Sequence, residues 1–199
     1  GYAGQVCISV QRILIPDALK KSFEDRFVAH VQQHVRSGDP ADSAVINGPM
    51  IDDANSTRIE SWLREAQSAG ARLLTGGQRS GAVIQPAVLS DAPPSSRIYA
   101  EEAFGPVVNV EGFSTLDDAI ARINSGRFGL QAGVFTHDIR TLWRCFNELD
   151  VGGVIHNDVP TFRVDNMPYG GVKDSGLGRE GIRYALEDMT ERRLLAIRA

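Results

Sequence analysis

Short apolar segments rich in β-branched residues alternate along this chain with amphipathic segments of about 10 to 18 residues. In the first amphipathic segment, residues 18–35, apolar side chains recur every four positions, which is the spacing of one helical face. Alternation of strands with helices of this length predicts an α/β fold with a largely parallel sheet and helices on both faces. In such folds the active groups lie near the ends of the strands.

Gly, Pro and helix-capping residues set the limits of the predicted elements. Thr115 and Asp138, for example, are each expected to cap the start of a helix. The predicted strands comprise residues 7–15, 71–74, 83–89, 106–113, 130–135, 151–156 and 192–197. The predicted helices comprise residues 18–35, 52–69, 115–123, 138–149 and 179–188. The last strand has no following helix to cover it, so it is free to pair with a sheet edge, including that of another copy.

Composition excludes several classes of protein. The 199 residues include 21 Lys and Arg against 25 Asp and Glu, a formal net charge of −4, and the basic residues are scattered along the chain, which argues against a nucleic-acid partner. No apolar stretch approaches the roughly 18 residues of a membrane helix, and the first residues lack the features of a secretory signal. We therefore expect a protein that does not bind membranes. Two cysteines are too few for a disulfide framework, so we expect the protein to be cytoplasmic.

Cys7 is the first candidate for chemistry. It follows Gly4-Gln5-Val6 at the start of a predicted strand, where a turn can expose the thiol and backbone N–H groups can face an oxyanion. A thiol attacks carbon well once it is ionised. The competing interpretation is a small buried apolar residue, which is also our prediction for Cys145 inside the helix 138–149.

Residues 99–106 place two adjacent carboxylates, Glu101 and Glu102, on a loop before an aromatic residue and a Gly-Pro turn. Carboxylates on a loop can accept hydrogen bonds from sugar hydroxyls, although many such groups are solvated surface charges. Residues 176–181 match the pattern GxGxxG, but no hydrophobic strand precedes them, so we predict a turn into a helix rather than a dinucleotide site. His30 and His34 lie four apart without a third ligand, and no metal site is expected.

In combination, four motifs resemble the C-terminal portion of the NAD(P)-dependent aldehyde dehydrogenase superfamily. They are Gly-Gln-Val-Cys at 4–7, Glu-Glu-Ala-Phe-Gly-Pro at 101–106, Asn157, and the segment 168–180 that begins Pro-Tyr-Gly-Gly. The resemblance covers essentially the whole chain. The sequences of residues 7–12 and 162–168 are most similar to those of lactaldehyde, succinate-semialdehyde and non-phosphorylating glyceraldehyde-phosphate dehydrogenases.

The resemblance implies roles for individual residues. Cys7 is the nucleophile that forms a thiohemiacetal and then a thioacyl intermediate, and its own N–H forms half of the oxyanion hole. Glu102 holds the ribose of the nicotinamide in NAD or NADP, and Phe104 packs beside that ring. Phe162 and Arg163 line the path of the aldehyde, where Arg163 would pair with a carboxylate or phosphate of the substrate.

The same resemblance implies a domain organisation. Residues 1–188 form the catalytic thiol domain, and residues 189–199 form an oligomerisation strand that pairs with a partner copy. The N-terminal Rossmann domain of the family has no counterpart in this sequence, so we expect the chain by itself to turn over negligibly.

Two other functions stay open at this stage. The chain could be a non-catalytic assembly module that uses its exposed edge strand. It could also be a thiol esterase or acyl-transfer enzyme that needs no nicotinamide. The sequence does not distinguish a CoA-acylating relative from a hydrolytic one.

Overall fold

The computed structural model describes residues 2–198. The chain divides into two compact units, one ending at Gly126 and one beginning at Arg127. Residue 1 of the predicted catalytic domain and residue 199 of the predicted oligomerisation strand lie outside the described residues. The division at 1–188 and 189–199 is functional, and it stays a prediction.

The first described residues, Tyr2–Gly4, form a short turn in which all three residues have a positive φ. Its strands are β1 (Arg12–Pro16), β2 (Arg72–Thr75), β3 (Arg79–Ser80), β4 (Val83–Ile84), β5 (Ala87–Ser90) and β6 (Val107–Phe113). Its helices are α1 (Asp17–His34), α2 (Asp53–Ser68), α3 (Arg97–Ala100) and α4 (Leu116–Asn124).

Four of these strands form a mixed, mostly parallel sheet in the order β1-β6-β5-β2. β6 runs parallel to both β1 and β5, with Arg12 opposite Asn109 and Ala87 opposite Val107. β2 is antiparallel to β5 because only the short β3–β4 hairpin joins them, whereas a parallel pair needs a long crossover. The predicted α/β class with a largely parallel sheet is confirmed.

Side chains of β5 show that helices cover both faces of this sheet. Successive side chains of a strand point to opposite faces. Ala87 and Leu89 belong to the core cluster that includes residues of α2, whereas the Ser90 hydroxyl donates to Glu24 of α1. All four residues of β5 are buried. The sheet is therefore enclosed between α1 on one face and α2 on the other, as predicted.

The main core lies between α2 and the sheet. Helix α2 contributes Ile59, Trp62, Leu63 and Ala66, which recur at three- and four-residue spacing along one face. The helix begins where Asp52 accepts a hydrogen bond from the backbone N–H of Asn55, so its predicted start is confirmed.

The second unit contains a βαβ arrangement. Its strands are β7 (Phe128–Gly129), β8 (Gln131–Val134), β9 (Gly153–His156) and β10 (Val172–Lys173), and its helices are α5 (Ile139–Glu148) and α6 (Ile182–Met189). β8 and β9 are parallel and α5 connects them, as the alternation predicts. The side chain of Asp138 accepts hydrogen bonds from the N–H groups of Arg140 and Thr141 at the start of α5.

The predicted strand 83–89 is two strands in the structure, β4 and β5, which belong to different sheets. Three other predicted elements also differ from the structure. Residues 6–8 form a turn, closed by the N–H of Ser9 on the carbonyl of Val6, so β1 begins only at Arg12 rather than at residue 7. Helix α6 begins at Ile182 rather than 179, because the backbone of Glu180 pairs with that of Tyr169.

The third difference is the last predicted strand, residues 192–197. Within the described part of the chain these residues are assigned to no strand. An extended segment needs a neighbouring strand to satisfy its backbone groups, and this segment pairs with none among residues 2–198. Its apolar side chains Leu194, Leu195 and Ile197 are more than 80% exposed.

Across residues 2–198, no helix combines the length and apolarity needed to cross a membrane.

A buried carboxylate joins α1 to the sheet. The side chain of Glu24 is 5% exposed and accepts from the hydroxyl of Ser90, while Lys20 and Arg72 lie within 3.4 Å of it. Burial by itself would raise the pKa of Glu24. The hydrogen bond from Ser90 and the two positive charges outweigh burial and lower the pKa below its usual value of 4.5.

We predict that Glu24→Gln lowers the free energy of unfolding by roughly 2 kcal/mol at neutral pH, because a charge-assisted buried network is lost. A carboxylate with a depressed pKa stabilises the fold above about pH 4.5, and this contribution disappears as the pH falls through the folded-state pKa. The difference in the free energy of unfolding between Glu24→Gln and the parent should therefore shrink as the pH falls below about 4.5. Urea denaturation at several pH values measures it.

Asp25→Asn is the matched control, since Asp25 lies on the same helix in an exposed pair with Lys21. It should change stability by less than about 0.5 kcal/mol. Equal effects of the two substitutions would contradict the stabilising role of Glu24.

Candidate active site

Cys7 lies at the tip of the turn formed by residues 6–8 and is exposed to solvent. The chain reverses there because the N–H of Ser9 donates to the carbonyl oxygen of Val6 over 3.0 Å. The sequence prediction placed the thiol at the start of a strand; the structure places it five residues before β1. A turn exposes the sulfur more fully than a strand within the sheet would.

Gly4 attaches this cysteine turn to a second loop, residues 101–106. Gly4 has a φ of +75°, and a Cβ at this position would lie 2.0 Å from the carbonyl oxygen of Gly105. Only glycine permits both the left-handed conformation and so close an approach of two backbones. The segment that carries Cys7 therefore packs directly on the loop that carries Glu102.

The loop 101–106 runs from the end of α3 to the start of β6. Glu102 and Phe104 are exposed, whereas the alternate residues Ala103 and Gly105 are buried. Gly105 packs against Ile59 of α2, and Phe104 has a φ of +49°, a strained value for a residue with a large side chain. The buried residues anchor the loop, and the alternate residues face outward.

The two segments line one shallow concavity of about 20 Å³ that is open to solvent. Its lining residues are Gly4, Val6, Cys7, Ser9, Gln11, Glu102, Ala103, Phe104, Gly105 and Val107. Three residues predicted from the sequence, Cys7, Glu102 and Phe104, are thus brought together. Both segments precede strands of the sheet, so the site lies at the amino ends of β1 and β6 and not at the carboxyl ends usual for open α/β sheets.

Arg58 of α2 supplies positive charge behind the loop. It donates to the carbonyl oxygen of Ala103 over 2.8 Å, and its guanidinium lies over the ring of Trp62 at 4.6 Å. Burial lowers the pKa of Arg58, while the carboxylates of Asp52 and Glu102 act in the opposite direction. Sequence reasoning missed Arg58, because a lone arginine on a helix carries no signal that it reaches a loop 45 residues away.

Phe162 and Arg163 belong to the second unit. The carbonyl of Phe162 accepts from Gln131, and its ring is 46% exposed. Arg163 forms an ion pair with Glu180 at 2.9 Å and lies over the ring of Tyr169. All residues that line the concavity belong to the first unit. The role of Phe162 and Arg163 on the path of the aldehyde stays a prediction.

Two other features considered in the sequence, Cys145 and residues 176–181, do not line the concavity. Cys145 is buried in α5, as predicted, and burial raises the pKa of its thiol. The glycines of residues 176–181 have positive φ values and form the predicted turn before α6. Among residues 2–198, no group of three or more His, Cys, Asp or Glu side chains is arranged to hold a metal ion.

Comparison with known proteins decides the family. The model of the aldehyde dehydrogenase family matches residues 1–195. This chain belongs to that family. The family predicted from the cysteine, Glu-Glu-Ala-Phe-Gly-Pro and Pro-Tyr-Gly-Gly motifs is confirmed, and so is the corresponding fold.

Three similar proteins show how the chain relates to other aldehyde dehydrogenases. It is 40% identical over 195 residues to 3-sulfolactaldehyde dehydrogenase of Priestia aryabhattai, covering 98% of this chain and 41% of that protein. It is 42% identical to aldehyde dehydrogenase 21 of Physcomitrella patens in complex with the reaction product succinate, with a TM-score of 0.95 over 98% of this chain and 40% of the other.

The third is glyceraldehyde-3-phosphate dehydrogenase GapN of Methanocaldococcus jannaschii complexed with NADP, 38% identical with a TM-score of 0.89. The match covers 94% of this chain and 41% of that one. The names agree with the predicted branches of the family: a lactaldehyde derivative, succinate and glyceraldehyde 3-phosphate. The chain spans about two fifths of the length of these aldehyde dehydrogenases.

We predict that Gly4→Ala lowers the free energy of unfolding by roughly 2 kcal/mol, because the new Cβ would overlap the backbone of Gly105 and the φ is positive. Gly48→Ala is the control, since its nearest neighbour would lie 3.8 Å away in ordinary contact. Urea denaturation of both variants measures the difference. Equal stability of the two would mean that the cysteine turn is not held against the loop 101–106.

Proposed function

We propose that this chain is the thiol-bearing domain of an enzyme that oxidises an aldehyde to a carboxylic acid with NAD or NADP. The observation that supports this most directly is the single concavity lined by Cys7, Glu102 and Phe104. It combines a nucleophile, a hydrogen-bond acceptor and an aromatic surface, each on a segment held by its backbone.

Cys7 begins the reaction. Its thiolate sulfur attacks the carbonyl carbon of the aldehyde, an S–C bond forms, and the carbonyl electron pair moves to the oxygen as an oxyanion. The turn at residues 6–8 exposes the sulfur to an incoming substrate, and the N–H of Cys7 is the proposed donor to that oxyanion. After oxidation the carbon remains bound to Cys7 as a thioester. Water then attacks the thioester, releasing the carboxylic acid and regenerating the thiol.

Glu102 and Phe104 fit a nicotinamide cofactor. The exposed carboxylate of Glu102 can accept hydrogen bonds from ribose hydroxyls, and the exposed ring of Phe104 can pack against a flat heterocycle. When bound, the cofactor accepts the hydride that leaves the substrate carbon. Glu101 is less suited, because it ends α3 and does not line the concavity.

The proposed substrate carries an anionic group. The three similar proteins are named for, or bind, molecules with a sulfonate, carboxylate or phosphate. Arg163 remains the proposed partner of that group, although in this structure it is paired with Glu180. A substrate anion would have to compete with this carboxylate.

We predict that Cys7→Ala lowers kcat/KM of the enzyme that contains this domain by roughly four orders of magnitude or more, because the nucleophile is lost. Cys145→Ala, which removes the buried thiol, should keep most of the activity. Formation of reduced nicotinamide with anionic and neutral aldehydes measures both. Substantial aldehyde oxidation by Cys7→Ala would refute the proposal. If the 199-residue chain by itself oxidised the aldehyde as fast as the whole enzyme, the chain would not depend on the rest of the enzyme.

Arg163→Ala in the same assay tests the substrate class. It should reduce kcat/KM for an anionic aldehyde at least about tenfold more than for a neutral one of similar size. An equal loss on both substrates would exclude charge pairing by Arg163.

The exposed C-terminal segment supports assembly into a homo-oligomer. Leu194, Leu195 and Ile197 are almost fully exposed in the single chain. Large apolar side chains that follow one another at the surface are typical of an interface. We propose that residues 192–197 form a strand only when they pair with a sheet edge of a second copy.

We predict that the double substitution Leu195→Asp and Ile197→Asp weakens self-association at least about tenfold, because two charges would be buried at the interface. Asp188→Asn, an exposed change on α6, is the control. Sedimentation velocity over a range of concentrations measures the effect. A parent chain that stays monomeric, or a double variant that associates like the control, would exclude this interface.

A further inference from the structure

Gln11, just before β1, connects the segment that carries Cys7 to the loop 101–106 through two hydrogen bonds and to α3 through a third. Its side-chain Nε2 donates to the carbonyl oxygen of Glu101 over 2.6 Å and to that of Ile98 over 3.3 Å. Its Oε1 accepts from the backbone N–H of Ala103 over 3.1 Å. One amide group therefore uses both its donor and its acceptor on the loop.

These bonds hold the backbone on both sides of Glu102. The carbonyl of Glu101 precedes Glu102 and the N–H of Ala103 follows it, so the two peptide planes that flank Glu102 are both tied to Gln11. The carbonyl of Ala103 accepts a further hydrogen bond, from Arg58. Because these peptide planes are held, the direction in which the side chain of Glu102 leaves the backbone is also held.

Gln11 is itself anchored to the sheet. Its carbonyl oxygen accepts from the N–H of Asn109 in β6 over 2.9 Å, immediately before β1 begins. Cys7 lies only four residues earlier, and four residues of extended chain span at most about 14 Å. The distance between the thiol and the loop is therefore limited by Gln11 as well as by Gly4.

The conformation of Phe104 also depends on a held loop. Its φ of +49° is unfavourable for a bulky residue and persists only where neighbouring contacts enforce it. Ala103, the residue before it, is 2% exposed and has both backbone polar groups bound by side chains. Release of Ala103 would allow Phe104 to leave this conformation.

We propose that Gln11 is the positioning residue that sets Glu102 and Phe104 relative to Cys7, an inference that rests on the proposed function. Gln11 acts through the Glu101 and Ala103 peptide groups and not on the reacting atoms. Glutamine suits this position because its amide carries a donor and an acceptor at the same reach, whereas an ionised glutamate offers acceptors alone.

Gln11→Met tests the proposal in the 199-residue chain, because methionine keeps the length of the side chain and removes all three bonds. Hydrogen exchange of the segment 102–105 should become about tenfold faster, since the N–H of Ala103 loses its acceptor. Exchange of the segment 87–90 in β5 should stay unchanged. Gln32→Met is the control, since Gln32 is exposed and its amide bonds to Thr75 at the end of β2.

Gln11→Glu provides a conservative rescue. A protonated carboxyl group has both a donor and an acceptor, whereas the carboxylate would face the carbonyl of Glu101 with a negative charge. Relative to the parent at the same pH, the segment 102–105 should exchange faster at neutral pH and should approach the parent rate as the pH is lowered towards about 5. Gln11→Met should show no such recovery.

In the enzyme that contains this domain, Gln11→Met should raise KM for NAD or NADP at least about tenfold, while the alkylation rate of Cys7 changes less than about twofold. Unchanged exchange at 102–105, equally faster exchange throughout the first unit, or an unchanged KM would each overturn the proposal. A parent enzyme that oxidises no aldehyde would instead refute the proposed function. The exchange data would then still decide whether Gln11 holds the loop.

Discussion

The parallel pairing of β1 with β6 is the constraint on which the candidate site depends. In a parallel pair both strands begin at the same edge of the sheet, so the segments that lead into them must lie side by side. The cysteine turn leads into β1 and the loop 101–106 leads into β6. Two segments that are almost 100 residues apart in sequence therefore meet at one edge. This explains why the site lies at the amino ends of the strands.

Close backbone packing then determines how the two segments fit together. Gly4 lies against the carbonyl of Gly105, where any side chain would overlap it. Gln11 accepts a hydrogen bond from the N–H of Ala103, and Arg58 donates one to its carbonyl oxygen. The outcome is a loop whose buried residues are fixed and whose exposed residues, Glu102 and Phe104, face the same concavity as Cys7. Residues of the first unit alone therefore position the loop 101–106, which is proposed to hold the cofactor.

The errors of sequence reasoning have physical causes in particular residues. Ile8 and Val10 carry a strand pattern, but the hydrogen bond from Ser9 to Val6 closes a turn there, so the strand starts later. The four-residue helix α3 is too short to show a helical period. Segment 192–197 has strand composition and forms no strand among residues 2–198, so its predicted pairing with a second copy stays a prediction.

The sequence by itself determined the alternation of strands and helices, the capped starts of α4 and α5, and the motifs that identify the family. These depend on local periodicity, on side chains that bond neighbouring backbone groups, and on short runs of residues. Only the tertiary structure decided that Cys7 lies in a turn, that Arg58 and Gln11 hold the loop of Glu102, and that Arg163 is paired with Glu180. Such contacts join residues far apart in the chain, and their geometry follows from sheet register and backbone packing, which no local pattern encodes.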